Sequence, residues 1–289
     1  MRKLLTIGLV GFVAQLIDGS LGMAYGLTST TLLLTAGVAP AIASASVHLA
    51  EVGTTLASGT AHWRFGNVDW RVVALMSVPG AIGGFLGAVV LTSLSAEAAA
   101  PAISVFLFVL GAYVIFRFAR RPRDRGDRGR RRLPAVFLAP LGAFAGFMDA
   151  AGGGGWGPIG TPTLLSSGRL EPRKVVGSID TGEFLVALGA SLGFLVALPL
   201  SSLDPGLIGA MLAGGLIAAP IAAWLVRNLP ARILGTAVGG MIVVTNARSF
   251  ANAVEVPGDV RIALYLSVGA IALAAFATAL AAHRREQPV

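Results

Sequence analysis

The chain has 289 residues, of which 55% are apolar and only 12% charged, with a mean hydropathy of +0.79. Soluble globules carry roughly twice that charge, so a water-soluble domain is excluded. There is no cysteine, and the histidines are scattered at His48, His62 and His283, which removes disulfide, thiolate-metal, Cys-nucleophile and Fe–S chemistry.

Between Leu4 and Trp63 the only formal charges are Asp18 and Glu51. That apolar length exceeds the roughly 20 residues of one bilayer crossing, and a multispanning membrane protein follows. The Arg2-Lys3 start resembles a signal peptide but lacks a small-residue cleavage site, so it reads as retained. Apolar stretches lie at 4–36, 40–61, 71–92, 101–119, 133–167, 173–200, 206–226, 231–251 and 262–282. The first and fifth are too long for single spanning helices, because a rod of that length would reach about 50 Å. Each carries its own expected break, Asp18-Gly19-Ser20 in one and Asp149-Ala150-Ala151 with Gly152 to Gly155 in the other. Unwound backbone at that depth must face protein or a wet cavity.

The net charge of +8 is concentrated in one loop. Nine arginines and two aspartates between Arg117 and Arg132 leave the rest of the chain at +1. Between apolar segments such a loop follows the positive-inside rule, which places it in the cytoplasm and makes nucleic acid an unsupported partner. Further basic residues cluster at Arg64/Arg71, Arg169/Arg173/Lys174, Arg227/Arg232 and Arg284/Arg285, whereas the 93–100 and 199–206 loops carry only Glu97 and Asp204.

The two halves repeat. At an offset of 131, Gly11, Ala14, Asp18, Gly22, Gly26, Thr30, Leu33, Leu34 and Gly37 meet identical residues, and Tyr25 meets Trp156. At an offset of 132, Pro40, Ser46 and Glu51 meet Pro172, Ser178 and Glu183, and His48 meets Asp180. The expected organisation is a first transmembrane repeat over 1–119, the Arg-rich loop at 120–132, a second repeat over 133–251 and an extra helix with its tail at 252–289. If 4–36 and 133–167 enter and return as hairpins of two short helices, each half has three true crossings. The second copy is then inverted, and the loops from 62 onward obey the charge rule. The expected fold is an all-α polytopic membrane protein of two inverted repeats.

The second break, Met148-Asp149-Ala150-Ala151-Gly152-Gly153-Gly154-Gly155-Trp156-Gly157-Pro158, and its variant Ile17-Asp18-Gly19-Ser20-Leu21-Gly22-Met23-Ala24-Tyr25-Gly26 resemble the broken segments of the sulfite exporter TauE/SafE family over about 4–282. The first copy departs from the pattern in the middle of its glycine run. The resemblance implies secondary transport of a small sulfur-containing anion such as sulfite or a short organosulfonate across the cell (inner) membrane, in a direction that varies among members, with export the expectation for this chain.

A helix that starts inside a membrane offers free N–H groups and a positive dipole end to an oxyanion. Candidate anion contacts are therefore Gly19, Ser20, Gly22, Thr28, Ser29, Thr30, Gly152, Gly153, Gly154, Gly155, Thr161 and Thr163, walled by Tyr25 and Trp156. The competing reading is that the glycines serve close packing and the threonines bond back to their own helices. Ionised acids are costly in lipid, so Glu51 and Glu183, with His48 and Asp180 three residues earlier, are candidates for proton coupling. Asp18 and Asp149 are candidates for the same proton-coupling or polar network, with helix capping at the breaks as the competing reading. Arg248, near Asn246 and Asn252, is a candidate counter-charge and also an ordinary snorkelling arginine. No nucleotide loop, cofactor motif or catalytic set is expected; the competing class is an intramembrane hydrolase built on Ser46, His48 and Glu51. A channel lacks its charged rings.

Overall fold

The computed structural model describes residues 2–21, 23–119, 132–167, 169–225 and 231–286. Every regular element among them is helical, as lipid demands of a backbone that must satisfy its own hydrogen bonds. In chain order they are α1 (Arg2–Leu21), α2 (Tyr25–Thr35), α3 (Pro40–Arg64), α4 (Trp70–Ser93), α5 (Ala96–Ala119), α6 (Ala135–Gly152), α7 (Trp156–Ser167), α8 (Pro172–Ala197), α9 (Pro205–Leu225), α10 (Ala231–Ala253) and α11 (Gly258–Glu286), with one 3₁₀ turn at Leu200–Ser202. By length and composition α4, α5, α6, α8 and α11 can each cross a membrane. The helices α3 and α10 have 25 and 23 residues, but α3 spends its inner face on Ser44, Ser46, His48, Glu51, Thr54 and Thr55, all buried.

Both long apolar stretches are interrupted. The first interruption falls later than the sequence suggests, and the second occupies the last part of the stretch the sequence marks. Gly19 and Ser20 belong to the last turn of α1, and the first break comes before Tyr25, with Ala24 in the left-handed region at φ 101°. Asp149 likewise sits in the last turn of α6, and the second break is 153–155, with Gly153 at φ 73° and Gly154 at φ 145°. A helical glycine costs only about 1 kcal/mol, less than exposing unpaired backbone in lipid, so the helices run on through the first glycines. The expected pairs of short helices are also unequal. The second arms α2 and α7 have 11 and 12 residues, but α1 and α6 have 20 and 18, roughly a full hydrocarbon thickness at 1.5 Å per residue.

The start signals recur in both halves. Pro40 and Pro172 open α3 and α8, where a missing N–H costs nothing. Asp69 Oδ1 accepts from the Arg71 and Val72 N–H groups at the start of α4 (3.0 and 3.2 Å), and Asp204 Oδ1 from Gly206 and Leu207 at the start of α9 (2.8 and 3.2 Å).

Packing is exchanged between the halves. The helix α1 lies against α9 and α6 against α4, while α3 packs on α8 and α5 on α10. Small residues permit the first two contacts: a Cβ on Gly11 would fall on the carbonyl of Met211, and one on Gly142 on that of Met76. The last helix, α11, rests on α10 and exposes Val260, Ile262, Leu266, Ile271 and Leu273, the apolar surface expected against lipid tails.

Candidate functional site

The two breaks meet. A Cβ on Gly26, in the first turn of α2, would lie 3.2 Å from Gly154 Cα and 3.3 Å from Glu51 Oε1, and one on Gly153 would strike the Thr30 side chain. Gly154 is tighter still, with the backbone of Leu27 and Gly26 in the way of any side chain. Gly152 rests on the Phe106 ring, and Gly155 packs on the backbone of Met148 and Asp149.

The same carboxylate holds each break. Asp149 Oδ1 accepts from the N–H groups of Gly155 (2.6 Å) and Trp156 (2.9 Å), and Asp18 Oδ1 from that of Tyr25 (3.2 Å). Both acids reach forward seven residues to the first N–H of the next helix, satisfying donors that a helix start leaves open. Capping is thus the role the geometry assigns them, but Asp149 has a second one. Its other oxygen, Oδ2, lies 3.2 Å from His48 Nε2.

Two buried triads result, each drawn from both halves. Asp149 joins His48 and Glu51; Asp18 joins Asp180 and Glu183. Within each triad the polar atoms lie within 4.8 Å of one another, close enough for a cation or shared protons. Since Asp18 corresponds to Asp149, His48 to Asp180 and Glu51 to Glu183, the triads are copies of each other with the halves interchanged. In the first triad, His48 Nδ1–H donates to the Ser44 carbonyl (2.8 Å), because a carbonyl can only accept. Its Nε2 therefore shares one proton with Asp149, and Glu51 Oε2 stands 3.9 Å away with no hydrogen bond among the described residues. In the second, Ser58 Oγ donates to Asp180 Oδ1 at 3.1 Å, and His62 Nε2 is 3.9 Å from Oδ2.

The hydroxyls divide. Thr28, Ser29 and Thr30 on the first turns of α2, and the Tyr25 hydroxyl, are buried with no hydrogen-bond partner among the described residues. Thr163 instead bonds back to Ile159 (2.6 Å), and Thr161 is buried within α7. Trp156 is fully buried and donates Nε1–H to the Ile179 carbonyl (2.9 Å), leaning on Gly80. Gly22 and the side chain of Ser20 lie outside the described residues, as does 120–131 of the Arg-rich loop.

Arg248 is not part of this cluster. It is exposed and lines a cavity of about 380 Å³ at the far end of α2, beside Glu97 and Asn252. Asn246 of α10 does reach α2: it donates to Thr31 Oγ1 at 2.9 Å, and its buried Oδ1 has no partner among the described residues. Sequence spacing did not single out Asn246 as a contact, although a lone Asn in an apolar helix is the available signal. The hydrolase arrangement is not assembled: His48 Nδ1 is committed to the Ser44 carbonyl, and Ser46 Oγ has no hydrogen-bond partner among the described residues.

Interrupted helices, a lipid-facing apolar surface and buried ionisable groups along the line where the breaks meet define a multi-pass helical membrane transporter. Residues 7–249 match the sequence profile described as "Sulfite exporter TauE/SafE", and the chain belongs to that family. It is 50% identical over 275 residues to the "Probable membrane transporter protein YtnM" of Bacillus subtilis, covering 95% of this chain and 92% of that one. A "Probable membrane transporter protein" of Haemophilus influenzae is 28% identical over 150 residues, covering 52% of this chain and 57% of that one. No solved structure matches.

Proposed function

We propose that this transporter carries a small sulfur-containing anion, such as sulfite or a short organosulfonate, outward across the inner membrane by alternating access with proton coupling. The observation that carries the reading is the meeting of two helix starts, Gly26 against Gly154, beside the unpartnered hydroxyls of Thr28, Ser29 and Thr30. With the first N–H groups of each second arm taken by Asp18 and Asp149, it is these hydroxyls, at the positive dipole end of α2, that can hold an oxyanion without a formal cation. In the conformation described the breaks are closed on each other, so admitting an anion separates α2 from the turn between α6 and α7. Sulfur as the central atom comes from the family, whose name refers to sulfite.

The exchanged packing and the interchanged triads support an inverted duplication, in which moving one half against the other exposes the same site alternately to each side. The distribution of arginine and lysine supports placing the Arg64, Arg71, Arg169 and Lys174 side in the cytoplasm. Five buried carboxylates face one buried imidazole across the two triads, and burying each as an unpaired charge costs several kcal/mol. Taking up and releasing protons as the anion moves relieves that cost.

Two experiments test this. In proteoliposomes, sulfite loaded on one side is expected to appear chemically unchanged on the other. Movement is expected to be faster under an imposed proton gradient; conversion to another molecule, or no movement of sulfite or of short sulfonates, overturns the proposal. The double variant Glu51→Gln, Glu183→Gln is expected to retain anion exchange between equal pools while losing the response to the gradient. An unchanged pH response removes the coupling.

A further inference from the structure

A second cavity, of about 490 Å³, opens between the starts of α4 and α8 and the residues leading into α6. Four cations line it, Arg71, Arg132, Arg169 and Lys174, against two acids, Asp69 and Glu171. Asp69 is already committed to the first N–H groups of α4. The cavity near Arg248 offers one cation and one acid, so the two mouths differ by two net charges: four minus two here, one minus one there.

Arg71 and Lys174 are held rather than free to sweep the solvent. Arg71 Nη1 donates to the Leu133 carbonyl at 2.6 Å and Lys174 Nζ to the Val68 carbonyl at 3.0 Å. Each spends one donor in this way, out of five on a guanidinium and three on an ammonium. Val72, Leu133 and Leu170 also line it. Cations in excess of acids, two of them held in place with donors to spare, suit a compact oxyanion and disfavour a cation. From Lys174 the helix α8 leads inward, past Ile179, whose carbonyl holds Trp156, to Glu183, about 14 Å at 1.5 Å per residue.

We infer that this cavity is a loading vestibule for the transported oxyanion, which it concentrates on the basic face before the anion passes along α8 to the breaks. The inference rests on the transport reading and adds to it an asymmetry of affinity between the two faces. A mouth of net charge +2 draws anions in at low ionic strength, and the opposite mouth does not.

The test uses Arg132→Gln, Arg169→Gln, because both side chains are exposed and neither closes a helix start. In oriented proteoliposomes of neutral lipid, with sulfite as the probe, the variant is expected to raise KM on the basic face about five-fold. That corresponds to two charges acting at roughly 8 Å through water. Maximal rate and KM on the opposite face are expected to stay as in the wild type, and the salt dependence of KM on the basic face to fall. The control Arg64→Gln, Arg117→Gln removes the same charge without touching the cavity and is expected to leave KM within about two-fold. An equal KM change on both faces, or none, overturns the inference. So does a change seen only when anionic lipid is present, which assigns the cavity to a headgroup phosphate. Wild-type protein that moves no sulfite defeats the transport reading itself, a result distinct from any of these.

Discussion

Gly154→Val is expected to abolish transport. At φ 145° the position lies in backbone space that side chains rarely enter, and the added Cβ would meet the Leu27 nitrogen, with Leu27 Cα at 2.7 Å and the Gly26 carbonyl carbon at 2.9 Å. All three are main-chain atoms, so no rotamer change relieves the clash. Backbone strain and overpacking each cost roughly 1–3 kcal/mol, and their sum forces the start of α2 away from the turn between α6 and α7. The milder Gly154→Ala meets the same atoms with one carbon and is expected to lower flux at least ten-fold while the protein still inserts and elutes as a single species after extraction. Gly209 has nothing within 4 Å of an added Cβ, so Gly209→Val should transport normally. Wild-type flux in Gly154→Val would mean that the contact between the breaks does not govern transport.

Asp149→Ala is expected to destabilise the protein far more than Asp18→Ala, although the two positions correspond in the repeat. Asp149 accepts from two backbone N–H groups at the start of α7 and shares a proton with His48, whereas Asp18 accepts from one N–H group among the described residues. Losing a cap costs about 1 kcal/mol, and stranding a buried polar partner costs a further 1–3 kcal/mol. The expected losses are therefore about 2–4 kcal/mol for Asp149→Ala and about 1 kcal/mol for Asp18→Ala, read as thermal midpoints in detergent. Asp149→Asn, which keeps a capping oxygen but not the charge beside His48, should fall between them. Equal losses at the two positions would show that the His48 contact contributes nothing.

The corresponding positions were legible because identical residues recur at a constant offset. Their contact partners were not, because one half packs against the other and brings unlike positions together. Matching Asp18 with Asp149 gives no indication that Asp149 touches His48, 101 residues away, or that Gly26 abuts Gly154. Arg248 shows a second limit. Two residues along a helix turn the side chain by about 200°, so Asn246 faces α2 while Arg248 faces the cavity beyond it. The later correspondences, Asp69 with Asp204 at the helix starts and Met76 with Met211 under Gly142 and Gly11, stand at an offset of 135. They slip past the earlier register by three residues, one from the longer α8 and two from the connection that holds the Leu200–Ser202 turn.

From the amino acids alone came the membrane as solvent, the number and limits of the apolar segments, the two interrupted ones and the identities recurring at a constant offset. Each of these is a property of local composition or of one stretch compared with another, and the bilayer makes helices of any stretches so composed. Only the tertiary structure decided where each helix stops, which acid of one half joins which pair of the other, and which hydroxyls are left without partners. Those outcomes depend on whether a glycine's missing Cβ lets two backbones touch, a distance of a few tenths of an ångström that no residue carries by itself.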